Sequence, residues 1–121
     1  MSLQTVAIVD DDLRVLQVAM LEIEYCGYMV NTFSSPQKFL NCYNELKPSL
    51  VLLDIQMPKM NGLECLHLLS TGVHKPPILM FTSINDDQFR KKALELGATA
   101  YLLKSEFLSN PCEIIKQHIK R

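Results

Sequence analysis

The sequence predicts a small α/β domain in which five parallel strands form a doubly wound sheet covered by five helices. Three observations support this fold class. Four short apolar segments and one strand-like segment, 28–33, recur along the chain, helical patterns alternate with them, and the apolar segments lack the polar alternation of half-exposed strands. Strands that are apolar on both faces are typical of parallel sheets, in which right-handed helical crossovers cover both sides.

The elements follow one another in strict alternation. The strands are predicted at residues 5–9, 28–33, 50–53, 78–81 and 100–103. The helices are predicted at residues 13–26, 36–46, 63–70, 87–96 and 111–120. Three helices are expected to begin at an N-cap residue: Ser35, either Asp86 or Asp87, and Asn110. Two helices are expected to end at a glycine, Gly27 and Gly97.

Length and composition exclude several classes of protein. The 121 residues suffice for a single domain, 1–121, with its own core, and 48% of them are apolar. The net charge is −1 and no long Lys/Arg block occurs, which argues against direct nucleic-acid binding. No apolar run approaches the ~18 residues of a membrane span, and no signal peptide is visible, so a cytoplasmic protein is expected.

The four cysteines are predicted to be free thiols. Cys26, Cys42, Cys65 and Cys112 lie far apart, and no Cys-x-x-Cys pair occurs. This spacing favours idle thiols in a reducing compartment over a disulfide or a zinc site.

Polar residues follow four of the predicted strands. Asp10 and Asp11 follow the first, Asp54 the third, Thr82 the fourth and Lys104 the fifth. The carboxyl ends of parallel strands share one edge of the sheet, so these side chains are expected to meet. Clustered carboxylates repel one another unless a cation neutralises them, and an all-oxygen donor set favours Mg²⁺. Carboxylate, hydroxyl, lysine and Mg²⁺ together predict phosphoryl transfer.

Each of these residues also has a purely structural interpretation. Asp54 could simply begin a loop, Thr82 could stabilise a turn, and Lys104 could be a solvated surface charge. The aspartates could cap the first helix, and Asp12 is expected to do only that. The occurrence of suitable residues at four strand ends favours the functional interpretation.

The chain resembles, over essentially its whole length, the receiver domain of two-component response regulators. The segments that carry the resemblance are Ile8-Val9-Asp10-Asp11-Asp12, the stretch 52–62 (LLDIQMPKMNG), Phe81-Thr82-Ser83, Gly97-Ala98 and Tyr101-Leu102-Leu103-Lys104. The resemblance implies a flavodoxin-like sheet with strand order 2-1-3-4-5. It also implies a phosphoprotein in a phosphorelay, with no enzymatic activity beyond Mg²⁺-dependent phosphorylation of itself and autodephosphorylation.

The resemblance assigns a role to each strand-end residue. Asp54 would accept a phosphoryl group from a phosphohistidine on a histidine kinase or a histidine phosphotransfer protein. The direct Mg²⁺ ligands would be Asp11, Asp54 and the backbone carbonyl of Gln56. Asp10 would bind the ion largely through water. The phosphoryl oxygens would contact Lys104, the Thr82 hydroxyl and the backbone of Ser83.

A conformational switch is implied as well. Movement of Thr82 toward the phosphoryl group would let Tyr101 rotate from an exposed to a buried position. This would rearrange the face formed by the fourth helix, the fifth strand and the fifth helix, which would control an output domain or a target protein. Gln56 and Ile84 flank the path of an attacking water, and Ile84 cannot orient it, so slow self-dephosphorylation is expected.

The chain departs from the family pattern after Lys104. Receiver domains usually have a proline there, often in a cis bond, whereas this chain has Ser105. A cis bond before a residue other than proline costs about 3 kcal/mol, so a trans bond and a different loop through Phe107 are expected. Ser83 and Asn61 are milder departures.

Three alternatives are open at this point. A haloacid dehalogenase would need a second aspartate where Gln56 stands. A phosphate-independent binding module could use the same face with a degenerate site. The chain could also be the receiver part of a longer DNA-binding transcriptional regulator rather than a stand-alone signalling protein, and a phosphorylation-dependent homodimer is compatible with either.

Overall fold

The strands form where the short apolar segments predict them. A computed structural model describes residues 4–119. Its strands are β1 (Thr5–Val9), β2 (Met29–Phe33), β3 (Leu50–Leu53), β4 (Ile78–Thr82) and β5 (Ala100–Leu103). All neighbouring strands are parallel, in the order β2-β1-β3-β4-β5. The predicted fold class and strand order are therefore confirmed.

Helices cover both faces of this sheet. They are α1 (Leu13–Tyr25), α2 (Pro36–Leu46), α3 (Gly62–Ser70), α4 (Asp87–Glu95), α5 (Lys104–Ser109) and α6 (Pro111–His118). The predicted fifth helix corresponds to α6, and α5 was not predicted. Within residues 4–119, every helix is too short or too polar to cross a membrane.

The lack of alternation in β1, β3 and β4 follows from two separate cores, whereas β2 is an edge strand with three of its five residues exposed. In β1, Val6 and Ile8 pack into one core with residues of α1, α5 and α6. Ala7 and Val9 pack into the other core with residues of α2, α3 and α4. All four side chains are fully buried. Because both faces are covered, both sets of alternating positions must be apolar.

The helix caps bear out most of the local predictions. Asp12 accepts hydrogen bonds from the backbone N–H groups of Arg14 and Val15, at 3.0 and 3.4 Å. Ser35 caps α2, and Asp86 rather than its neighbour caps α4. These caps satisfy backbone donors that the first helical turn leaves without partners.

Asn110 is the N-cap residue of α6 and Pro111 begins the helix, as predicted, but the Asn110 side chain makes no capping hydrogen bond. Its backbone N–H instead donates to the carbonyl of Phe107, at 3.2 Å, so the residue also ends α5. A residue shared by two helices in this way has a backbone (φ −155°, ψ 62°) set by both of them.

The prediction of five helices also needs correction, because a short helix directly follows β5. The backbone N–H of Leu103 donates to the Glu106 carboxylate at 2.9 Å, and Phe107 is fully buried against Phe81, with ring centroids 5.5 Å apart. A proline would disfavour helical backbone at the residue before it. Ser105 imposes no such restriction on Lys104, so the helix begins there. Residues 4–119 contain no cis peptide bond, as expected for Lys104-Ser105.

The prediction of four free thiols is wrong for two of the cysteines. Cys26, at the end of α1, and Cys112, in the first turn of α6, form a disulfide with a Cα–Cα distance of 5.4 Å. Cys42 and Cys65 are free thiols, exposed and buried respectively. The bonded residues are 86 positions apart, and only the packing of α6 beside α1 brings them together.

Candidate functional site

Three carboxylates meet at the carboxyl edge of the sheet. Asp10 directly follows β1 and Asp54 directly follows β3, and these two strands are neighbours. Asp11 completes the cluster: each carboxylate offers an oxygen atom within 4.8 Å of the others. Asp10 and Asp54 are buried, whereas Asp11 is exposed. The predicted convergence of these three residues is confirmed.

Lys104 reaches the same cluster from the end of β5. Its Nζ lies 2.7 Å from Oδ2 of Asp10 and 3.5 Å from Oδ2 of Asp54. The Lys104 side chain is itself largely buried, with 16% of it exposed. One ammonium group therefore faces two buried carboxylates in a region of reduced solvent screening.

The surroundings of Asp54 disfavour its charge. Burial and the neighbouring charges of Asp10 and Asp11 raise the pKa of Asp54 to about 6, against the opposing effects of Lys104 and the Ile55 N–H. The Ile55 N–H donates to Oδ1 of Asp54 at 2.9 Å. Above pH 6 the group is mostly an ionised carboxylate, which is the nucleophilic form.

The charge of Lys104 is stabilised by the same carboxylates. Burial lowers the pKa of this ammonium group, but the close carboxylates of Asp10 and Asp54 outweigh burial and raise it. Lys104 is therefore a cation at neutral pH. It is available to neutralise negative charge that arrives beside Asp54.

The carboxylates fit a hard divalent cation. Oδ2 of Asp10 is buried, and no well-directed hydrogen bond from residues 4–119 reaches it, although Lys104 is close. Buried carboxylate oxygens ordinarily have hydrogen-bond partners, so this atom retains capacity for a ligand. Its companions Asp11 and Asp54 are also oxygen donors, the type that Mg²⁺ prefers.

The loop after β3 holds Asp54 by a close backbone approach. The N–H of Gly62 donates to the Ile55 carbonyl at 2.7 Å, and a Cβ on Gly62 would lie within 1.9 Å of the Asp54 carbonyl oxygen. Only glycine fits this position. Lys59 takes a left-handed backbone with φ of 70° in the same loop. The loop also borders an open cavity of about 480 Å³ whose lining includes Asp11 and Gln56.

The sequence contained a signal for the start of α3 that the prediction did not use. The Asn61 side chain accepts a hydrogen bond from the Glu64 N–H at 2.9 Å, and the Glu64 carboxylate accepts one from the Asn61 N–H at 3.3 Å. This reciprocal pair is a capping box, whose spacing is visible in the sequence. It fixes α3 immediately after the close approach of Gly62.

Thr82 and Tyr101 are connected through Ile84. Thr82 is buried at the end of β4, and its Oγ1 accepts a hydrogen bond from the Ile84 N–H at 3.1 Å. The Tyr101 hydroxyl donates to the Ile84 carbonyl at 2.6 Å. Tyr101 is only 4% exposed, so the structure holds it in the buried position.

The remaining predicted residues do not contact the carboxylates directly. Gln56 and Ser83 are exposed, and within residues 4–119 no hydrogen bond joins either of them, or the Thr82 hydroxyl, to Asp54. Arg90 was not predicted at all, although its guanidinium group lies over the Tyr101 ring. A lone arginine on a helix carries no sequence signal for such a contact.

Comparisons with known proteins agree with this geometry. Residues 6–116 match the family described as the response regulator receiver domain. The chain is 34% identical over 104 residues to the probable transcriptional regulator ycf27 of Guillardia theta, covering 84% of this chain and 39% of the relative. It is 35% identical over 101 residues to the transcriptional regulatory protein YdfI of Bacillus subtilis, covering 82% and 47%.

Solved structures share the fold. The chemotaxis protein CheY4 of Vibrio cholerae superposes with a TM-score of 0.90 at 22% identity, covering 98% of this chain and 100% of that one. The chain spans less than half the length of the two regulators it matches. With the family match extending over almost all of the described residues, the chain belongs to the response regulator receiver domains of two-component systems.

Proposed function

We propose that Asp54 is the phosphoryl acceptor of this receiver domain, and that the donor is the phosphohistidine of a histidine kinase or a histidine phosphotransfer protein. The observation that carries the proposal is the position of Asp54. Its buried carboxylate lies within reach of two further carboxylates and 3.5 Å from the Lys104 ammonium. A nucleophile, a cation site and a fixed positive charge thus meet at one point.

The transfer exchanges one bond for another. A carboxylate oxygen of Asp54 attacks the phosphorus, the phosphorus–nitrogen bond of the phosphohistidine breaks, and the histidine ring retains the electron pair and takes up a proton. The product is an acyl phosphate on Asp54. Attack by water on that phosphorus returns the carboxylate and releases inorganic phosphate, so the only reactions of the domain are its own phosphorylation and dephosphorylation.

The acidic cluster is proposed to hold Mg²⁺ through Asp10, Asp11, Asp54 and the Gln56 backbone carbonyl. When bound there, Mg²⁺ offsets negative charge on the phosphoryl oxygens. Lys104 neutralises further charge and already lies beside Asp54. Thr82 and the backbone of Ser83, at the end of the neighbouring strand β4, are proposed to donate hydrogen bonds to the same oxygens.

The output is proposed to be transcriptional control through the face of α4, β5 and α6, called here the output face. The relatives are named as transcriptional regulators and are more than twice as long as the matched segment. This supports a DNA-binding output domain as partner, without nucleic-acid contact by the receiver domain itself.

Since histidine kinases use ATP, we place these reactions in the cytoplasm. Dimerisation through the output face on phosphorylation is a further proposal, testable by light scattering.

Phosphorylation by acetyl phosphate tests the proposed acceptor. Intact mass is followed with and without Mg²⁺ for the wild-type chain, for Asp54→Ala and for Asp12→Asn. The expected result is a gain of one phosphoryl group that requires both Mg²⁺ and Asp54. Asp12→Asn is the matched control, because Asp12 only caps α1 and asparagine caps as well.

The opposite result would support a different class of protein. If folded wild-type chain gains no mass, or if the Asp54→Ala variant gains as much as the wild type, Asp54 is not the acceptor. The first outcome would favour a phosphate-independent binding module that uses the output face in its resting form.

A further inference from the structure

Tyr101, on the output face, is buried. Its hydroxyl donates to the Ile84 carbonyl at 2.6 Å, and 4% of the residue is exposed. Tyr101 belongs to β5, which is an edge strand, so no further strand covers it on that side. Another part of the chain must keep the ring in place.

Arg90 of α4 contributes to that cover, beside the apolar core residues among which the ring is buried. Its guanidinium carbon lies 4.9 Å from the centroid of the Tyr101 ring, a distance at which cation and ring attract one another. Its Nη1 also donates to the Tyr101 backbone carbonyl, at 3.3 Å. One side chain therefore contacts both the ring and the backbone of the same residue.

The position of Arg90 is itself well determined. The Asp86 side chain accepts hydrogen bonds from the N–H groups of Gln88 and Phe89, at 2.8 and 3.1 Å, and so fixes the first turn of α4. The Arg90 N–H donates to the Asp86 carbonyl at 3.0 Å. Arg90 makes no salt bridge with any carboxylate among residues 4–119, so its charge is directed at Tyr101.

One connection between this contact and the acidic site runs through Ile84. The Ile84 carbonyl accepts a hydrogen bond from the Tyr101 hydroxyl. The Ile84 N–H donates a hydrogen bond to Thr82 Oγ1, at 3.1 Å. Release of Tyr101 would free the Ile84 carbonyl and loosen the loop that begins at Thr82. Two hydrogen bonds on one residue thus relate the ring position to the strand end beside Asp54.

We propose that Arg90 is a positioning residue that holds Tyr101 in the buried position, by covering its ring and by donating to its backbone carbonyl. The output face then has the arrangement of α4 and β5 that a buried Tyr101 allows. The inference deepens the proposed function, but the position of Tyr101 can be measured without any phosphorylation.

The test uses protein labelled with 3-fluorotyrosine and a soluble gadolinium chelate that broadens exposed ¹⁹F signals. The chain has four tyrosines, and two of them serve as internal standards: Tyr25 is 89% exposed and Tyr43 is 5% exposed. A Tyr101→Phe variant assigns the Tyr101 signal. In the wild type, Tyr101 is expected to broaden as little as Tyr43.

Arg90→Ala is expected to increase the broadening of Tyr101 toward that of Tyr25 while leaving Tyr43 unchanged. Lys91→Ala is the matched control, because it removes the same charge from an exposed position of α4. Arg90→Lys is expected to restore protection only in part, since lysine lacks the planar group that covers the ring. Retained protection of Tyr43 and unchanged circular dichroism would show that Arg90→Ala is folded.

Two outcomes would overturn the proposal. The ¹⁹F signal of Tyr101 could broaden as much as that of Tyr25 in the wild type. Alternatively, the Arg90→Ala substitution could leave the broadening of the Tyr101 signal unchanged. Addition of beryllofluoride and Mg²⁺ to Arg90→Ala then separates this inference from the proposed function. Restored protection of Tyr101 would support both, whereas its absence would contradict only the coupling to Asp54.

Discussion

The two edges of the sheet differ in what their side chains do. Backbone N–H groups are paired at both edges, and at the carboxyl edge those of Asp10 and Asp54 donate to the Phe33 and Val9 carbonyls, each at 3.0 Å. At the carboxyl edge, Asp10 and Asp54 are buried close together, and Oδ2 of Asp10 lacks a well-directed hydrogen bond. At the amino edge, backbone groups are paired between segments: the N–H of Ser49 donates to the Thr5 carbonyl at 2.8 Å, and that of Val51 donates to the Pro77 carbonyl at 3.0 Å.

Side chains at the amino edge are paired with backbone groups as well. The Tyr43 hydroxyl donates to the His74 carbonyl at 2.9 Å, and Nε2 of His74 lies 3.0 Å from the Pro48 carbonyl. Cys26, which ends α1 just before β2, adds a covalent bond to Cys112. One edge therefore stabilises the fold, while the other holds charges in an arrangement that costs stability and provides chemistry.

Loss of the disulfide is expected to have the largest effect on stability. Cys112→Ser should lower the free energy of unfolding by about 4.5 kcal/mol under non-reducing conditions, because the 86-residue separation is no longer constrained in the unfolded chain. Urea titration measures this. With a strong thiol reductant present, the variant and the wild type should agree. A difference that persists in reductant would mean that the effect comes from packing.

Asp54→Asn is expected to stabilise the domain. A folded-state pKa of about 6, against 3.8 ordinarily, means that the folded chain disfavours the charge of this carboxylate. Removing the charge should therefore raise the free energy of unfolding by about 3 kcal/mol at pH 7.5 in chelator, since each pKa unit corresponds to about 1.4 kcal/mol. Asp12→Asn should show no such change. A destabilised Asp54→Asn variant would mean that Lys104 outweighs the repulsion among the carboxylates.

The same comparison predicts a response to Mg²⁺. Binding to the folded state alone raises stability by mass action. Added Mg²⁺ should therefore stabilise the wild type more than Asp54→Asn, which offers one carboxylate fewer. Equal stabilisation of the two proteins would place the ion elsewhere.

The lifetime of the acyl phosphate is expected to depend on Ile84. Ile84→Glu, which introduces a side chain able to orient water, should hydrolyse the acyl phosphate about tenfold faster, corresponding to about 1.4 kcal/mol in the barrier. Loss of protein-bound phosphoryl group after removal of acetyl phosphate measures the rate. Ile84→Val controls for altered packing. Equal or slower hydrolysis in Ile84→Glu would refute this role.

The smallest expected effect is at the amino edge. Tyr43→Phe removes the hydrogen bond to the His74 carbonyl and should lower the free energy of unfolding by about 1 kcal/mol. Tyr25→Phe is the matched control, since Tyr25 is 89% exposed. Thermal and urea unfolding would detect the difference, and equal stabilities would show that water replaces the bond without loss.

The sequence by itself determined the features that rest on local patterns. Apolar segments without alternation specified buried parallel strands, and the residues directly after them had to share one edge. Asp12, Ser35 and Asp86 cap helices as predicted, because a cap depends on bonds to neighbours two or three positions away. The convergence of Asp10, Asp54 and Lys104 follows from topology alone.

Only the tertiary structure decided the features that depend on distant contacts. Burial of Phe107 against Phe81 supports the unexpected helix α5, and the meeting of α1 and α6 joins Cys26 to Cys112. The Arg90 contact with Tyr101 likewise spans separate elements. Local patterns do not encode such pairs, because their formation depends on how whole helices and strands pack, and the same packing sets the burial that raises the pKa of Asp54.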